Sequence, residues 1–346
     1  MKAARVHAKG KEYSIDEVSV PEVERETDLV IQIKAASLCH TDFMVRDGVF
    51  GDNYPITGSH EAVGIVHEVG SAVQNFSKGD RVGTLAFQNA CGSCPDCKAG
   101  LDIYCENLSG MGGVTTDGGF AGYMKCDSRF CVKIPESLPF PQAAPLMCAG
   151  ATIYGALKKC RLSKGDLVGI VGVGGLGHIG IQLAKCMGLN VVAIDSRKEP
   201  IDLAKTLKYP PDLTINVKDT EAKDAMKRIS EMRKNTDWPG LDACIVATDS
   251  SPAFLYSADI TRKHGLMVVV GQPADPVQVT YHSLIFRNIK VIGSLLSNVD
   301  EAQEMLKIIA EKDIKITVKE YPMAKVNDMV EDTHKENMKG RLVMTM

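Results

Sequence analysis

The sequence predicts an α/β protein of two domains: one mostly β and built round irregular loops, the other a parallel, doubly wound sheet. Three observations predict it. The chain has 346 residues, which suits two cores at roughly 150 residues per domain. The first 150 residues carry apolar strands punctuated by Gly and Pro. From about Ala151 strand-like runs at Leu167 to Val173, Asn190 to Ile194, Leu241 to Ala247 and Leu266 to Gly271 alternate with helical stretches, the order of a parallel sheet covered on both faces.

Composition narrows what such a chain does. Lys+Arg is 40 against Asp+Glu 43, a formal net charge of -3, so no cationic surplus exists to neutralise a nucleic-acid backbone or an anionic membrane. Hydrophobic residues are 45% and charged residues 24%, ordinary globular usage. The longest apolar runs, such as Leu167 to Val173, fall far short of a membrane span. Residues Met1 to Gly10 have charges but no apolar stretch behind them, so no secretory signal is visible and a cytosolic protein is expected. Eleven cysteines in a reducing compartment read as metal ligands or catalytic groups rather than disulfides.

In the first domain, Cys39-His40-Thr41-Asp42, then His60-Glu61, then Cys148 spread thiol, imidazole and carboxylate over more than a hundred residues. Taken singly, Cys148 is a small buried hydrophobe and His60 a core histidine. Together, two sulfurs and one imidazole leave a tetrahedral zinc with one open position, a catalytic arrangement. Between them Cys91, Cys94, Cys97 and Cys105 form C-x2-C-x2-C-x7-C in a Gly- and Pro-containing loop. Four thiolates close a tetrahedral zinc site and leave nothing open, which makes that site structural. The same ligands hold iron–sulfur clusters; spacing and softness favour zinc.

The second domain opens with the apolar run that leads into Gly172-Val173-Gly174-Gly175-Leu176-Gly177. Leu176, Ile179, Leu183 and Met187 then recur three or four apart, an apolar helix face. A further strand, Asn190 to Ile194, ends at Asp195, eighteen positions after Gly177. Strand, glycine loop, helix, strand and acid in this order make a dinucleotide site: the glycines admit a pyrophosphate to the helix N-terminus, and the acid accepts from ribose hydroxyls. A carboxylate there repels a 2'-phosphate, so Asp195 favours NAD over NADP. Arg197 and Lys198 follow directly and are expected to form a solvated helix start, softening that choice only if they turn toward the ribose.

Taken together, these motifs resemble the zinc-containing medium-chain alcohol dehydrogenases of the yeast and bacterial type, over essentially the whole chain. The family's stretch G-H-E-x2-G-x5-G-x2-V stands here as Ser59-His60-Glu61, Gly64, Gly70 and Val73; only the first glycine is replaced, a departure that touches a turn and leaves the ligand. The resemblance implies a GroES-like, mostly β catalytic domain (1–150 and 294–346) with a Rossmann cofactor domain (151–293) inserted, and an active site in the cleft. It implies two zincs per chain: Cys39, His60 and Cys148 on the catalytic one, Cys91, Cys94, Cys97 and Cys105 on the structural one. Asp42 would orient His60, Glu61 would lie behind the metal, and Thr41 would take the alcohol's proton. His40 and Arg341 would meet the cofactor pyrophosphate, Gly172, Gly174, Gly175, Leu176 and Gly177 the loop side, and Thr152 and the Val270 backbone the nicotinamide carboxamide. Phe50, Phe87, Met111 and Leu295 would line an apolar pocket for an alcohol or aldehyde. A homotetramer is implied as well. A histidine common in relatives five positions after the first zinc cysteine is replaced by Met44, which implies a proton route through the ribose hydroxyl and water.

The expected activity is therefore NAD-dependent alcohol oxidation, or carbonyl reduction in reverse. Its rivals are a biosynthetic NADP(H)-tolerant reductase on the same fold and a non-catalytic zinc protein.

Overall fold

The structure is a computed structural model and describes residues 1–232, 238–333, 335 and 338–346. In chain order the first elements are β1 (Lys2–Val6), β2 (Ser14–Glu17), β3 (Asp28–Leu38), α1 (His40–Arg46), β4 (Ile56–Thr57), β5 (Glu61–Val69) and β6 (Arg81–Thr84). Next come β7 (Phe87–Gln88), α2 (Pro95–Lys98), β8 (Gly110–Met111), β9 (Tyr123–Asp127), β10 (Cys131–Lys133), α3 (Phe140–Ala143) and α4 (Ala149–Cys160). A regular alternation follows: β11 (Leu167–Val171), α5 (Gly177–Cys186), β12 (Asn190–Asp195), α6 (Lys198–Lys205), β13 (Leu213–Asn216), α7 (Ala222–Glu231), β14 (Leu241–Val246), α8 (Ser251–Ile260), β15 (Thr261–Val269) and β16 (Lys290–Gly293). The chain ends with α9 (Val299–Glu311), β17 (Val318–Pro322), α10 (Val326–Asp332) and β18 (Arg341–Thr345).

These elements make two compact units. The first comprises Met1–Ala151, Asn298–Ala310 and Ile316–Met346; the second comprises Thr152–Ser297 and Glu311–Lys315.

The first unit is organised on β3, eleven residues long and buried along almost its whole length. It pairs antiparallel with β5, β9 and β18, in the order β10-β6-β5-β3-β18-β17. A strand flanked on both edges and covered on both faces has no use for alternating polarity, and its sequence DLVIQIKAASL reads accordingly. The core between this sheet and its surroundings holds Leu29, Ile31, Ile33, Val66, Phe120 and Met344. A smaller sheet, β2-β1-β4, and the two-stranded β7-β8 complete the unit.

The second unit is a six-stranded sheet in the order β13-β12-β11-β14-β15-β16, and every pairing is parallel. Renumbered from β11, the order is 3-2-1-4-5-6, the doubly wound arrangement whose ligands sit beyond the strand ends where the order reverses, between β11 and β14. The strands at the centre, LVGIV in β11 and LDACIV in β14, are buried at every position.

The last central strand differs from the sequence expectation. β15 begins at Thr261, ahead of the apolar run from Leu266, and includes His264 at φ 60. Its polar start TRKH carries no apolar signal. Backbone pairing and side-chain tethers hold it instead: His264 N–H donates to Arg287 O (2.9 Å), and Arg287 donates to the carbonyls of Ala258 (2.8 Å) and Asp259 (3.0 Å) at the end of α8. Among the described residues no helix is long and apolar enough to cross a membrane.

Candidate functional site

The first cluster is set by strand register. β3 and β5 pair Ser37 with Glu61, so Cys39, just past β3, and His60, just before β5, come together. Cys148 arrives from the turn Ala144–Met147 that precedes α4. Donor atoms of Cys39, His60, Glu61 and Cys148 all lie within 4.8 Å of one another. Asp42 fastens the cluster from one side. Its buried carboxylate accepts from Cys39 N–H (2.7 Å) and Ser59 N–H (2.9 Å), and stands 3.7 Å from His60 Nδ1, an ion-pair rather than a hydrogen-bond distance.

Whether these residues suit a metal is answered by atoms left without partners. Both ring nitrogens of His60 and Oε1 of Glu61 are buried without a hydrogen bond, a costly state for polar atoms that a coordinated cation would relieve. The Cys148 thiol, and then His60, hold the Cys39 thiol well below its ordinary value, toward the thiolate that binds metal. Two sulfurs and an imidazole are a zinc set. Behind them Glu61 is bound by Arg341, which also donates to Ser37 Oγ (3.1 Å). Burial pushes the Glu61 carboxyl up to about 7, against the pull of Arg341.

The second cluster is local. Cys91, Cys94, Cys97 and Cys105 also place their sulfurs within 4.8 Å of one another. Backbone N–H groups point at those sulfurs: Cys94 N–H at Cys91 (3.3 Å), Cys97 N–H at Cys94 (3.4 Å) and Cys91 N–H at Cys105 (3.4 Å). Such donors favour thiolates, and the Ser93 and Cys94 amides bring the Cys91 thiol down to about 5. The set offers four sulfurs to a single ion. Its loop is tied down by Asp127, which accepts from Asn89 N–H (2.8 Å), and by Arg129, which donates to Ala90 O (3.1 Å).

In the second unit a cavity of about 380 Å³ opens at the β11/β14 switch point, lined among others by Gly172, Gly174, Asp195, Arg197, Thr248 and Tyr256. Gly172 turns the chain at φ 91, a left-handed conformation natural to glycine. Asp195 closes β12 and holds the loop: one oxygen accepts from Val173 N–H (2.8 Å), the other from Arg197 N–H (2.9 Å). Leu176 stands at the N-cap of α5 and Gly177 opens the helix.

Known proteins resemble this chain from end to end. Residues 25–136 match the alcohol dehydrogenase GroES-like domain and residues 175–311 the zinc-binding dehydrogenase domain. An alcohol dehydrogenase of Geobacillus stearothermophilus is 36% identical over 346 residues, covering 99% of both chains. The chain belongs to the zinc-containing medium-chain alcohol dehydrogenase family. Its relatives include cinnamyl alcohol dehydrogenase 7 of Arabidopsis thaliana, 32% identical over 92% of this chain and 88% of that one. The alcohol dehydrogenase of Aeropyrum pernix superposes with a TM-score of 0.86 at 31% identity, over 100% of both chains.

Among the remaining residues singled out by sequence, His40 and Thr41 open α1, the first exposed and the second partly buried. Phe87 faces Met111 across the β7-β8 pair, while Phe50 is 40% exposed. Thr152, Val270 and Leu295 belong to the second unit; Val270 N–H donates to Val246 O (3.0 Å). Arg341 is buried and grips Glu61. Gly175 lies in the loop before α5. Arg197 and Lys198 are both exposed at the start of α6, as expected of a solvated helix start, and Arg197 also edges the cavity. Ser37, Asp127 and Arg129 escaped sequence reasoning, since each acts through partners that no local spacing marks.

Proposed function

We propose that this chain transfers a hydride between a primary or secondary alcohol and NAD, with the aldehyde or ketone as product. What supports the reading most is the Cys39, His60 and Cys148 set with both His60 nitrogens buried and without a hydrogen bond, in one chain with a cavity edged by a ribose-accepting acid. Bound zinc supplies a Lewis acid that eases loss of an alcohol's proton, and nicotinamide supplies the hydride acceptor.

The residues around these groups do the rest. Asp42 fixes Cys39 and the Ser59 turn through two backbone amides, so the donor geometry is set before any ligand arrives. Thr41 offers the hydroxyl that takes the alcohol's proton, and His40 and Arg341 supply positive charge for the pyrophosphate. Arg341 neutralises Glu61, which otherwise would be a lone buried anion. Asp195 accepts hydrogen bonds from the ribose. Thr152 and the Val270 backbone hold the carboxamide. Phe50, Phe87, Met111 and Leu295 make the substrate surroundings apolar, which suits alkyl or aryl alcohols better than polyols, whose extra hydroxyls would lose water without gaining partners.

We further take four copies to assemble. Tyr281, Ile285 and Phe286 are 71%, 69% and 62% exposed, beside β16, which ends the parallel sheet; apolar surface of this kind marks association.

Elemental analysis of purified protein, coupled on the same sample to nicotinamide reduction over aliphatic, allylic and aromatic alcohols, tests the proposal. Two zincs per chain with turnover supports it. One zinc and no turnover overturns it.

A further inference from the structure

The adenosine end of the cofactor cavity carries a charge pair rather than a lone acid. Arg197 Nε lies 3.7 Å from Asp195 Oδ1, and Arg197 Nη2 would stand 3.7 Å from a Cβ built on Gly174. The guanidinium therefore reaches across the cavity wall from the ribose acid toward the phosphate loop. It is half exposed, whereas the Asp195 carboxylate is buried. Locally the cation is rewarded by Asp195 and not by the helix it opens. Arg197 is the N-cap of α6 and Lys198 its first residue, the end of a helix that favours anions. Of these two cations only Arg197 lines the cavity.

We infer that Arg197 makes this chain accept NADP(H) alongside NAD(H), by offering a guanidinium to the 2'-phosphate beside the carboxylate that would otherwise repel it. The inference rests on the dinucleotide reading above and sharpens it. An acid alone at this place selects the free 2'-hydroxyl, while an arginine nearby accommodates the phosphate. Guanidinium and phosphate pair through two parallel N–H···O bonds, among the stronger polar contacts. With both charges on one wall, the acid still serves the ribose of NAD(H), and the phosphate of NADP(H) meets a compensating cation instead of bare negative charge. Ser196 stands between them on the same wall and adds a hydroxyl. Asp195 and Arg197 are the charged residues among those lining the cavity, so discrimination by charge at the 2' position falls to this pair.

The test is calorimetric titration of the full-length zinc-loaded protein with NADH, NADPH and 2',5'-ADP, with no turnover involved. NADPH should bind the wild-type chain within about tenfold of NADH, and 2',5'-ADP should compete. Arg197→Ala should raise the ratio of the NADPH to the NADH dissociation constant by about tenfold or more, and Arg197→Lys should restore part of it. Lys198→Ala, which removes the same charge one residue along, should leave the ratio within about twofold. NADPH binding thousands of times weaker than NADH in the wild type overturns the inference. So does an Arg197→Ala variant that weakens both dinucleotides equally, which would make Arg197 a pyrophosphate contact, or a Lys198→Ala variant that matches it. Failure of both dinucleotides to bind would instead defeat the dehydrogenase reading itself.

Discussion

Arg341 and Glu61, 280 positions apart in the chain, form a buried ion pair immediately behind His60. Both side chains are almost wholly enclosed, at 7% and 0% exposure. A buried pair of this kind contributes little net stability against a hydrophobic substitute, but either partner left alone is costly.

Arg341→Ala should therefore destabilise the first unit by about 3–5 kcal/mol, because it strands the Glu61 carboxylate. Arg341→Ala combined with Glu61→Gln should recover much of that loss, since the stranded charge is gone. Chemical denaturation of the two variants measures the difference. Equal instability would mean that packing of the guanidinium, and not its charge, is what Glu61 needs.

The pair also shows how far sequence reached. Cys91, Cys94, Cys97 and Cys105 were legible because their donors come from one fifteen-residue loop, and the order of glycine loop, helix, strand and Asp195 was legible for the same reason. The Arg341 to Glu61 pair was not: it depends on β18 pairing with β3 and β3 with β5, three segments whose adjacency is a property of the sheet. Arg197 is exposed at its helix start, as the sequence leads one to expect; that it also edges a cavity was not legible, because the cavity is assembled from the ends of β11, β12 and β14, which are distant in the chain. β15 was shortened because polar residues held by Arg287 leave no periodic signal.

Ser59 stands where the family motif has glycine, and it adopts φ 70. Its hydroxyl donates to Ser37 O (2.9 Å) and its N–H reaches Asp42, so the left-handed turn is held by local bonds. Ser59→Ala keeps the strained backbone and loses the hydroxyl bond, whereas Ser59→Gly loses the bond but relieves the strain. The Gly variant should be the more stable by about 1 kcal/mol. Paired melts of the two proteins decide it; an Ala variant as stable as Gly would mean that the turn carries no strain.

The two cysteine clusters should fail in different ways. Cys148→Ser should lower zinc content by about one per chain and abolish turnover while the fold persists, because its site has an open position and few ligands to spare. Cys105→Ser should instead lower the melting temperature, since a closed four-sulfur site contributes folding energy. Metal analysis and calorimetry on both variants separate these outcomes. A Cys105→Ser protein melting like wild type would argue that the loop holds no metal.

Ile285 is the simplest probe of assembly. At 69% exposure on a segment beside the sheet edge, it contributes nothing to the core of its own chain. Ile285→Glu should leave monomer stability within about 0.5 kcal/mol and shift sedimentation toward smaller species, because a charge cannot be buried unpaired in an apolar interface. Unchanged sedimentation would remove this surface from the assembly.

The glycine loop permits a test that distinguishes fold from ligand within three residues. A Cβ on Gly177 would stand 2.1 Å from Gly172 O, a backbone atom with nowhere to go. Gly177→Ala must therefore reshape the loop, at a cost on the order of 2–3 kcal/mol. Gly174 is different: the nearest atom to its Cβ would be Arg197 Nη2 at 3.7 Å, ordinary contact, and it is absent from the residues with positive φ. The protein has no need of glycine there, so any need must come from a ligand approaching the backbone. Gly174→Ala should melt at or above the wild-type temperature and yet weaken NADH binding by at least about tenfold. If it binds NADH normally, the pyrophosphate passes elsewhere and the loop is only a tight turn. If it is unstable, some contact within the fold explains that glycine instead.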